Sequence, residues 1–288
     1  MSRTPGIDVS RWQGEIDWPR VAAGGYRFAI IRSSVGNYYT DPRFYENWRG
    51  ALDAGLLVSA YHVVKPNQSA ESQVARLFEA LEGRKPSLPL VIDVEVADGQ
   101  TKETITNVVR ECGQRIQQQE GRRPIIYTGK WFWDPNLFHS SEWAQFDLWI
   151  AHYGVQSPTL PPDWTNWRFW QYSESGSVDG VSSRHTDLNW FNGTYDELLS
   201  YAGKTPPQPD DESTQDLTTP SKRLQARVIS AFLRVRSGPG VQYDQVDELR
   251  SGDVVEITAI DGKEVWVSIG PGKWVAIVYS GERYLKLE

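Results

Sequence analysis

The chain has 288 residues, 39% hydrophobic and 23% charged, with a net charge of −7: enough apolar material for a core, and the wrong sign for a nucleic-acid partner. It contains no apolar run of the roughly eighteen residues a membrane span needs, and Met1-Ser2-Arg3-Thr4-Pro5 leads into the first apolar segment with no secretory signal visible. The single Cys112 excludes an internal disulfide, and four separated histidines offer no zinc-ligand spacing.

Short apolar segments predict strands at residues 6–9, 28–33, 56–62, 88–96, 124–128, 147–153, 168–172 and 185–189. Several are continuous apolar runs, as expected of parallel strands buried on both faces. Asp41-Pro42 supplies an N-cap and a first-turn proline for a helix with Phe44, Trp48 and Leu52 on its apolar line, and Gly55 ends it. A second helix carries Val74, Leu77, Phe78 and Leu81 before Gly83. A third runs from a Thr101 cap to Gly121 and buries Cys112 beside Ile105, Val108, Val109 and Ile116. The later strands are expected to be joined by loops alone. This alternation predicts an α/β fold, an irregular TIM-like β/α barrel over residues 1–203. An open doubly wound sheet is the alternative, though no phosphate-cradling glycine loop supports it.

Residues 204–221 are rich in proline and acidic side chains, too polar to bury themselves, and read as a linker. Residues 222–288 change to an all-β pattern, with strands at 224–229, 254–260, 265–269 and 274–278 between glycine, proline and aspartate turns. That length suits a second, small all-β barrel.

The chemistry concentrates at strand ends. In Leu90-Val91-Ile92-Asp93-Val94-Glu95, two acids follow an apolar run, and strand alternation puts both on one face, with Cβ atoms about 6–7 Å apart. Two acids this close in a partly dry site cannot both ionise freely, so one is pushed toward the pKa a general acid needs near neutrality. A capped or salt-bridged strand end would explain that pair equally well. Asp8 and Asp187 also end predicted strands, however, and the first and last strands of a closed barrel are neighbours, so four acids converge on one mouth. Such a cluster suits glycoside hydrolysis or a hard-metal site. Aromatic residues at or near strand ends (Tyr61, Tyr127, Trp149, Trp170 and Tyr172) favour a sugar, and eleven of thirteen tryptophans precede residue 200. His62, His139, His152 and His185 form no triad pattern; His62 and His152 sit beside these aromatics as core or rim residues.

The segment Gly6-Ile7-Asp8-Val9-Ser10-Arg11-Trp12-Gln13-Gly14 resembles the D-x-S-x-x-Q start of the muramidases of glycoside hydrolase family 25. The resemblance continues, in order, through Ala60-Tyr61-His62, Asp93-Val94-Glu95, Pro124-Ile125-Ile126-Tyr127-Thr128, Leu148-Trp149-Ile150-Ala151, Trp170-Gln171-Tyr172 and Asp187-Leu188-Asn189-Trp190-Phe191-Asn192-Gly193, over about residues 5–200. It implies an irregular barrel that hydrolyses the β-1,4 bond between N-acetylmuramic acid and N-acetylglucosamine in peptidoglycan. Glu95 matches the general acid, Asp93 the residue that orients substrate or stabilises the intermediate, and Asp8 and Asp187 acids lining the pocket. Tyr61, Tyr127, Trp149, Trp170, Gln171 and Asn189 match sugar contacts. Arg32-Ser33-Ser34-Val35-Gly36 departs from the family's usual arginine–alanine at the second strand.

The tail, with Leu233-Arg234-Val235-Arg236-Ser237-Gly238-Pro239-Gly240, is similar to bacterial SH3-type (SH3b) wall-binding domains. The expectations are therefore a phage-type lysin acting at the bacterial wall, outside the cell, as a monomer. No cofactor, metal, nucleic acid or membrane is expected to take part. A non-catalytic wall-binding protein and an N-acetylhexosaminidase acting on chitin are the alternatives.

Overall fold

The computed structural model describes residues 2–206 except 184, and 225–287 except 239–240, 242, 257–258, 262–265, 271–272, 277, 280–281 and 284. The chain divides into two compact units, Met1–Gln208 and Pro209–Glu288. From residue 207 onward, the segment expected as a linker lies outside the described residues.

In the first unit one sheet contains β1 (Thr4–Val9), β2 (Phe28–Val35), β3 (Tyr39–Thr40), β4 (Leu57–Val63), β5 (Val91–Asp93), β6 (Ile125–Gly129), β7 (Leu148–Ala151), β8 (Phe169–Gly176) and β9 (Thr186–Phe191). The order is β1-β9-β8-β7-β6-β5-β4-β2-β3, and β1 also pairs with β2, so eight strands close into a barrel with β3 as a short flap. The parallel arrangement expected from the sequence fails at the last strand: β9 runs antiparallel to both β8 and β1. Among the described residues no crossover helix separates β8 from β9, and without one a chain returns antiparallel to the strand it has left. The strand expected at 88–96 is also shorter, stopping at Asp93 and leaving Glu95 in the segment beyond it.

Helices α1 (Trp18–Ala23), α2 (Phe44–Asp53), α3 (Ala70–Leu81) and α4 (Lys102–Glu120) cover the outside of the first strands. Thr101 and Gly121 cap α4 as expected, and Cys112 is buried, its thiol pushed up to about 12 by burial. In α2 the Asp41-Pro42 pair does not form the cap, because Arg43 occupies that position. Leu52 faces water, 41% exposed, while Ala51 is buried. With 3.6 residues per turn, i+7 returns to the buried face and i+8 overshoots it. The expectation of loops alone between later strands fails at α5 (Lys130–Asn136), which follows β6 and carries Pro135 inside it. α6 (Tyr195–Tyr201) follows β9.

Strand alternation sorts side chains into two cores. Ile7, Val9, Ala29, Ile31, Val58, Ala60 and Trp170 face outward into the layer under the helices. Phe28, Ile30, Leu57, Val91, Ile125, Trp149, Phe169 and Phe191 fill the barrel, and Leu198 and Leu199 of α6 join them. The ring of Phe28 lies where a Cβ on Gly6 would stand, 2.4 Å away, which is why the first strand carries a glycine there. Phe28 meets Phe169 edge-on and Phe169 meets Phe191 at a tilt, with centroids 5.2 and 5.3 Å apart, and the three plug the end at which the parallel strands begin. Polar inward side chains are thereby confined to the other end.

The second unit is antiparallel. β10 (Gln225–Val228) pairs with β13 (Val254–Glu256) and with Leu285–Leu287, and β11 (Phe232–Arg236) pairs with β12 (Gln245–Arg250) and Lys273–Ala276. Ala226, Val228, Leu233, Val235, Val255 and Val275 form its own small core. Of the strands expected there, residues 224, 257–258, 265 and 277 lie outside the described residues, as do Pro239 and Gly240 of the tail motif.

Candidate active site

Asp8, Tyr61, Asp93, Glu95, Tyr127, Trp149, Gln171 and Asp187 line one pocket of about 80 Å³ at the C-terminal mouth of the parallel strands. Asp8 and Asp187 stand opposite each other in the β1–β9 ladder, as expected from barrel closure. Asp187, though, lies near the start of β9 rather than at a strand end. Only the reversal of β9 brings it to the mouth.

The D-x-S-x-x-Q segment divides its labour. Asp8 points inward, while Ser10 and Gln13 build the turn that follows β1 (Arg11–Gln13, one turn of 3-10 helix). Gln13 Oε1 accepts the Ser10 backbone N–H at 2.8 Å and Gln13 Nε2 donates to the His185 carbonyl at 3.0 Å, tying the end of β1 to the start of β9. Past β5, the Val94 N–H donates to the Tyr127 carbonyl and the Thr128 hydroxyl to the Val94 carbonyl at 2.8 Å. That pair of bonds fixes the backbone from which Asp93 and Glu95 project.

A hydrogen-bond chain sets the charge of Asp8. Trp149 Nε1, a donor only, gives its proton to Asn189 Oδ1 at 2.8 Å, so the amide of Asn189 must turn its NH₂ to Asp8 Oδ2, at 2.7 Å. The Tyr127 and Tyr153 hydroxyls donate to Gln171 Oε1 at 2.7 and 2.6 Å, which likewise turns the NH₂ of Gln171 to Asp8 Oδ2 at 2.8 Å. Asp8 therefore accepts two amide donors as a carboxylate. Burial raises its pKa to about 6, with the Asn189 and Gln171 donors holding it from going further. Asp187 is pushed up to about 9, first by burial and then by the negative charge of Asp8, to whose carboxylate it is hydrogen-bonded. Burial and mutual repulsion therefore favour a single proton shared by the pair, with the donors on Asp8 biasing it toward Asp187.

Burial raises Asp93 well above the ordinary carboxylate range, with Glu95 and Asp8 adding to it and Arg32 opposing it. Its Oδ1 has no partner among the described residues. Glu95 stands at the rim with part of its surface open to water. Loss of solvation by the surrounding protein raises it too, with the charge of Asp8 in second place.

Two expected sugar contacts lie elsewhere. Trp170 alternates with Gln171 and so faces outward, where its Nε1 donates to the His152 carbonyl at 2.7 Å. Asn189 is fully buried beneath the pocket and orients Asp8 rather than lining it. His62 also sits on the outer face, hydrogen-bonded to Ser34 at 2.8 Å and pushed down to about 4 by burial. The sequence reading missed Tyr153, Trp131 and the Arg32–Asp41 ion pair (2.7 Å). Inward alternation continued past β7 (149, 151, 153) would have found Tyr153, and along β2 (28, 30, 32) Arg32. A register shift between Arg32 and Ser34 marks a bulge in β2, and another follows Gln171 in β8, each beside a site residue. The indole of Trp131, 66% exposed, fills the space where a Cβ of Gly129 would point, above Tyr127 on β6. Among the described residues no group of three or more His, Cys, Asp or Glu side chains is arranged to hold a metal ion.

A closed α/β barrel with acids of raised pKa and aromatic rings gathered at its mouth defines a glycoside hydrolase. Residues 7–181 match the model of Glycosyl hydrolases family 25, and the chain belongs to that family. Lysozyme M1 of Streptomyces globisporus is 35% identical over 218 residues, 71% of this chain and 73% of that protein. The uncharacterized protein YegX of Escherichia coli K12 is 37% identical over 201 residues, 68% and 72% of the two chains. The solved bacterial lysozyme from Streptomyces coelicolor superimposes with a TM-score of 0.65 at 33% identity, covering 72% of this chain and 100% of that one.

Proposed function

We propose that the first unit is a muramidase, hydrolysing the β-1,4 bond between N-acetylmuramic acid and N-acetylglucosamine in bacterial peptidoglycan. Its relatives named lysozymes support the substrate. The observation that carries the roles is the unequal environment of the acids. Glu95 is the most exposed of the pocket acids, and burial, with the charge of Asp8 second, raises its carboxyl above the ordinary range, which favours a reachable proton there, as a general acid for the glycosidic oxygen needs. Asp93 lines the pocket, and its buried Oδ1 has no hydrogen-bond partner among the described residues, which suits it to answer the positive charge that develops at the sugar. Burial makes its negative form costly in the free enzyme, so its stabilisation is realised only as that charge appears. Asp8 and Asp187 hold the fixed charge and the shared proton beneath them. Tyr61, Tyr127 and Trp149, whose rings meet edgewise at 4.5 and 6.5 Å, give the pocket its apolar wall.

The second unit we read as an SH3b-type wall-binding module, joined by a linker over residues 204–221. Short antiparallel strands around a separate core support this. So does the β11–β12 hairpin, closed by the Ser237 N–H on the Asp244 carbonyl and Arg236 on the Tyr243 carbonyl at 2.7 Å.

The test is digestion of purified peptidoglycan by wild type and Glu95→Gln, with reducing-end and mass analysis of the fragments. Muramic acid at the new reducing ends, released by wild type and slower by about 10²–10⁴-fold in the variant, is the expected result. N-acetylglucosamine at the new ends, or near-normal turnover by Glu95→Gln, would overturn the bond assignment or the acid, respectively.

A further inference from the structure

The mouth of the barrel is acidic, yet the turn that follows β1 at that end carries an exposed arginine with no ion-pair partner among the described residues. Arg11 begins the turn after β1, and its backbone is fixed twice: the Ser10–Gln13 capping box brackets it, and its N–H donates to Asp41 Oδ2 at 3.1 Å. The same Asp41 oxygen accepts Arg32 Nε at 2.7 Å, so Arg11 is anchored to the carboxylate that holds the arginine beside Tyr61. Its side chain makes no hydrogen bond or ion pair among the described residues. The neighbouring arginines do: Arg32 pairs with Asp41, and Arg43 with Glu46.

What holds the Arg11 guanidinium is aromatic. It lies 4.4 Å from the ring centroid of Trp12 and 5.4 Å from that of Tyr39. Trp12 is 67% exposed, so this ring is not spent on the core. A guanidinium held against rings keeps all of its N–H donors free while losing little freedom when an acceptor arrives, and its planar fork matches a carboxylate. An anionic substrate entering a mouth lined by Asp8, Asp93, Glu95 and Asp187 needs a cation that keeps its own charge away from those acids.

We propose that Arg11, backed by Trp12 and Tyr39, is a specificity site for a carboxylate borne on the 3-O-lactyl arm of a muramic acid residue, whether the free lactyl acid or the acids of an attached peptide stem. The inference rests on the muramidase reading and sharpens it, because a neutral chitin strand has no group for this site.

The test compares wild type, Arg11→Gln and Arg11→Lys on three oligosaccharides of equal length: a stem-free muramic acid glycan, its lactyl methyl ester, and the stem-bearing glycan. Arg11→Gln should raise KM about tenfold on the acid with little change in kcat, and Arg11→Lys should restore part of it. Esterifying the substrate should weaken wild type to the level of the variant and erase the difference between them. A loss confined to the stem-free acid assigns the lactyl group, and one confined to the stem-bearing glycan assigns the peptide acids. A loss of the same size on acid and ester, or none on either acidic glycan, overturns the site. Calorimetric binding of acid and ester to the Glu95→Gln protein, with and without Arg11→Gln, is read in parallel. Wild type that cleaves none of the three removes the muramidase reading. Tighter binding of the acid that vanishes with Arg11→Gln would still sustain the carboxylate site, and equal binding of acid and ester would end it.

Discussion

The indole N–H of Trp149 donates to the side-chain oxygen of Asn189 at 2.8 Å, and this single bond decides which way the Asn189 amide points at Asp8. An indole nitrogen cannot accept, so the orientation has no alternative while both residues are in place. Asn189 touches no pocket space, yet the charge on the pocket floor depends on it. The acids at the mouth thus form a layered system in which amide donors favour the ionised form of one carboxylate, Asp8, and its charge adds to the burial that already raises Asp187, Asp93 and Glu95.

Replacing Asn189 by leucine is expected to remove one of the two donors on Asp8 and leave the Trp149 N–H buried and unpaired. Both effects have a sign. The Asp8 pKa rises from about 6, because a bond that lowers it is lost. The acid limb of the pH profile of kcat/KM should therefore move upward by roughly one unit. Stability should fall by about 1–3 kcal/mol for the orphaned donor. An unmoved acid limb with the full loss of stability would reduce Asn189 to a packing residue.

Much of this site was legible in the sequence because alternation is a strict rule in strands. Asp8, Tyr61, Asp93, Tyr127, Trp149 and Gln171 each fall on the inward parity of an apolar run, and the structure gathers them with Glu95 and Asp187. Trp170 was expected at the site from its place near a strand end and from the resemblance, but it neighbours Gln171, and neighbours on a strand face opposite ways, so it packs in the outer layer. The reversal of β9 was not legible, since the alternation of side chains along 185–189 is the same whichever way the strand runs. The tryptophan-rich α5 escaped because seven residues with an internal proline give no helical period to detect.

Asp187 ties the site to the pH dependence of the whole fold. Its folded pKa, about 9, lies above its ordinary value of 3.8, so the folded state favours the protonated form. The contribution is fully present below about pH 4 and is lost as pH rises toward 9. Asp187→Asn supplies a permanent neutral donor in the same place and should flatten that decline. At pH 8–9 the variant is expected to melt about 3–6 °C above wild type, with the difference shrinking toward pH 4. Parallel melting curves across the whole range would show that Asp187 is ionised in the folded protein after all.

The two cores give the last expectation its basis. Every member of the barrel's apolar clusters precedes residue 203, and every member of the small cluster follows residue 225. No core side chain is shared between those clusters, so deleting residues 209–288 should leave the barrel folded, with an unchanged melting temperature. If the second unit delivers the barrel to the wall, its contribution is an effective concentration, which matters only where substrate is immobilised. Turnover of a short soluble glycan should then be unchanged, while lysis of whole walls falls about tenfold or more. Mixing the two units as separate chains should not restore lysis, since untethered binding raises no local concentration. An equal loss on soluble glycan and on walls would mean that the second unit supports the barrel itself, and the delivery role would have to be given up.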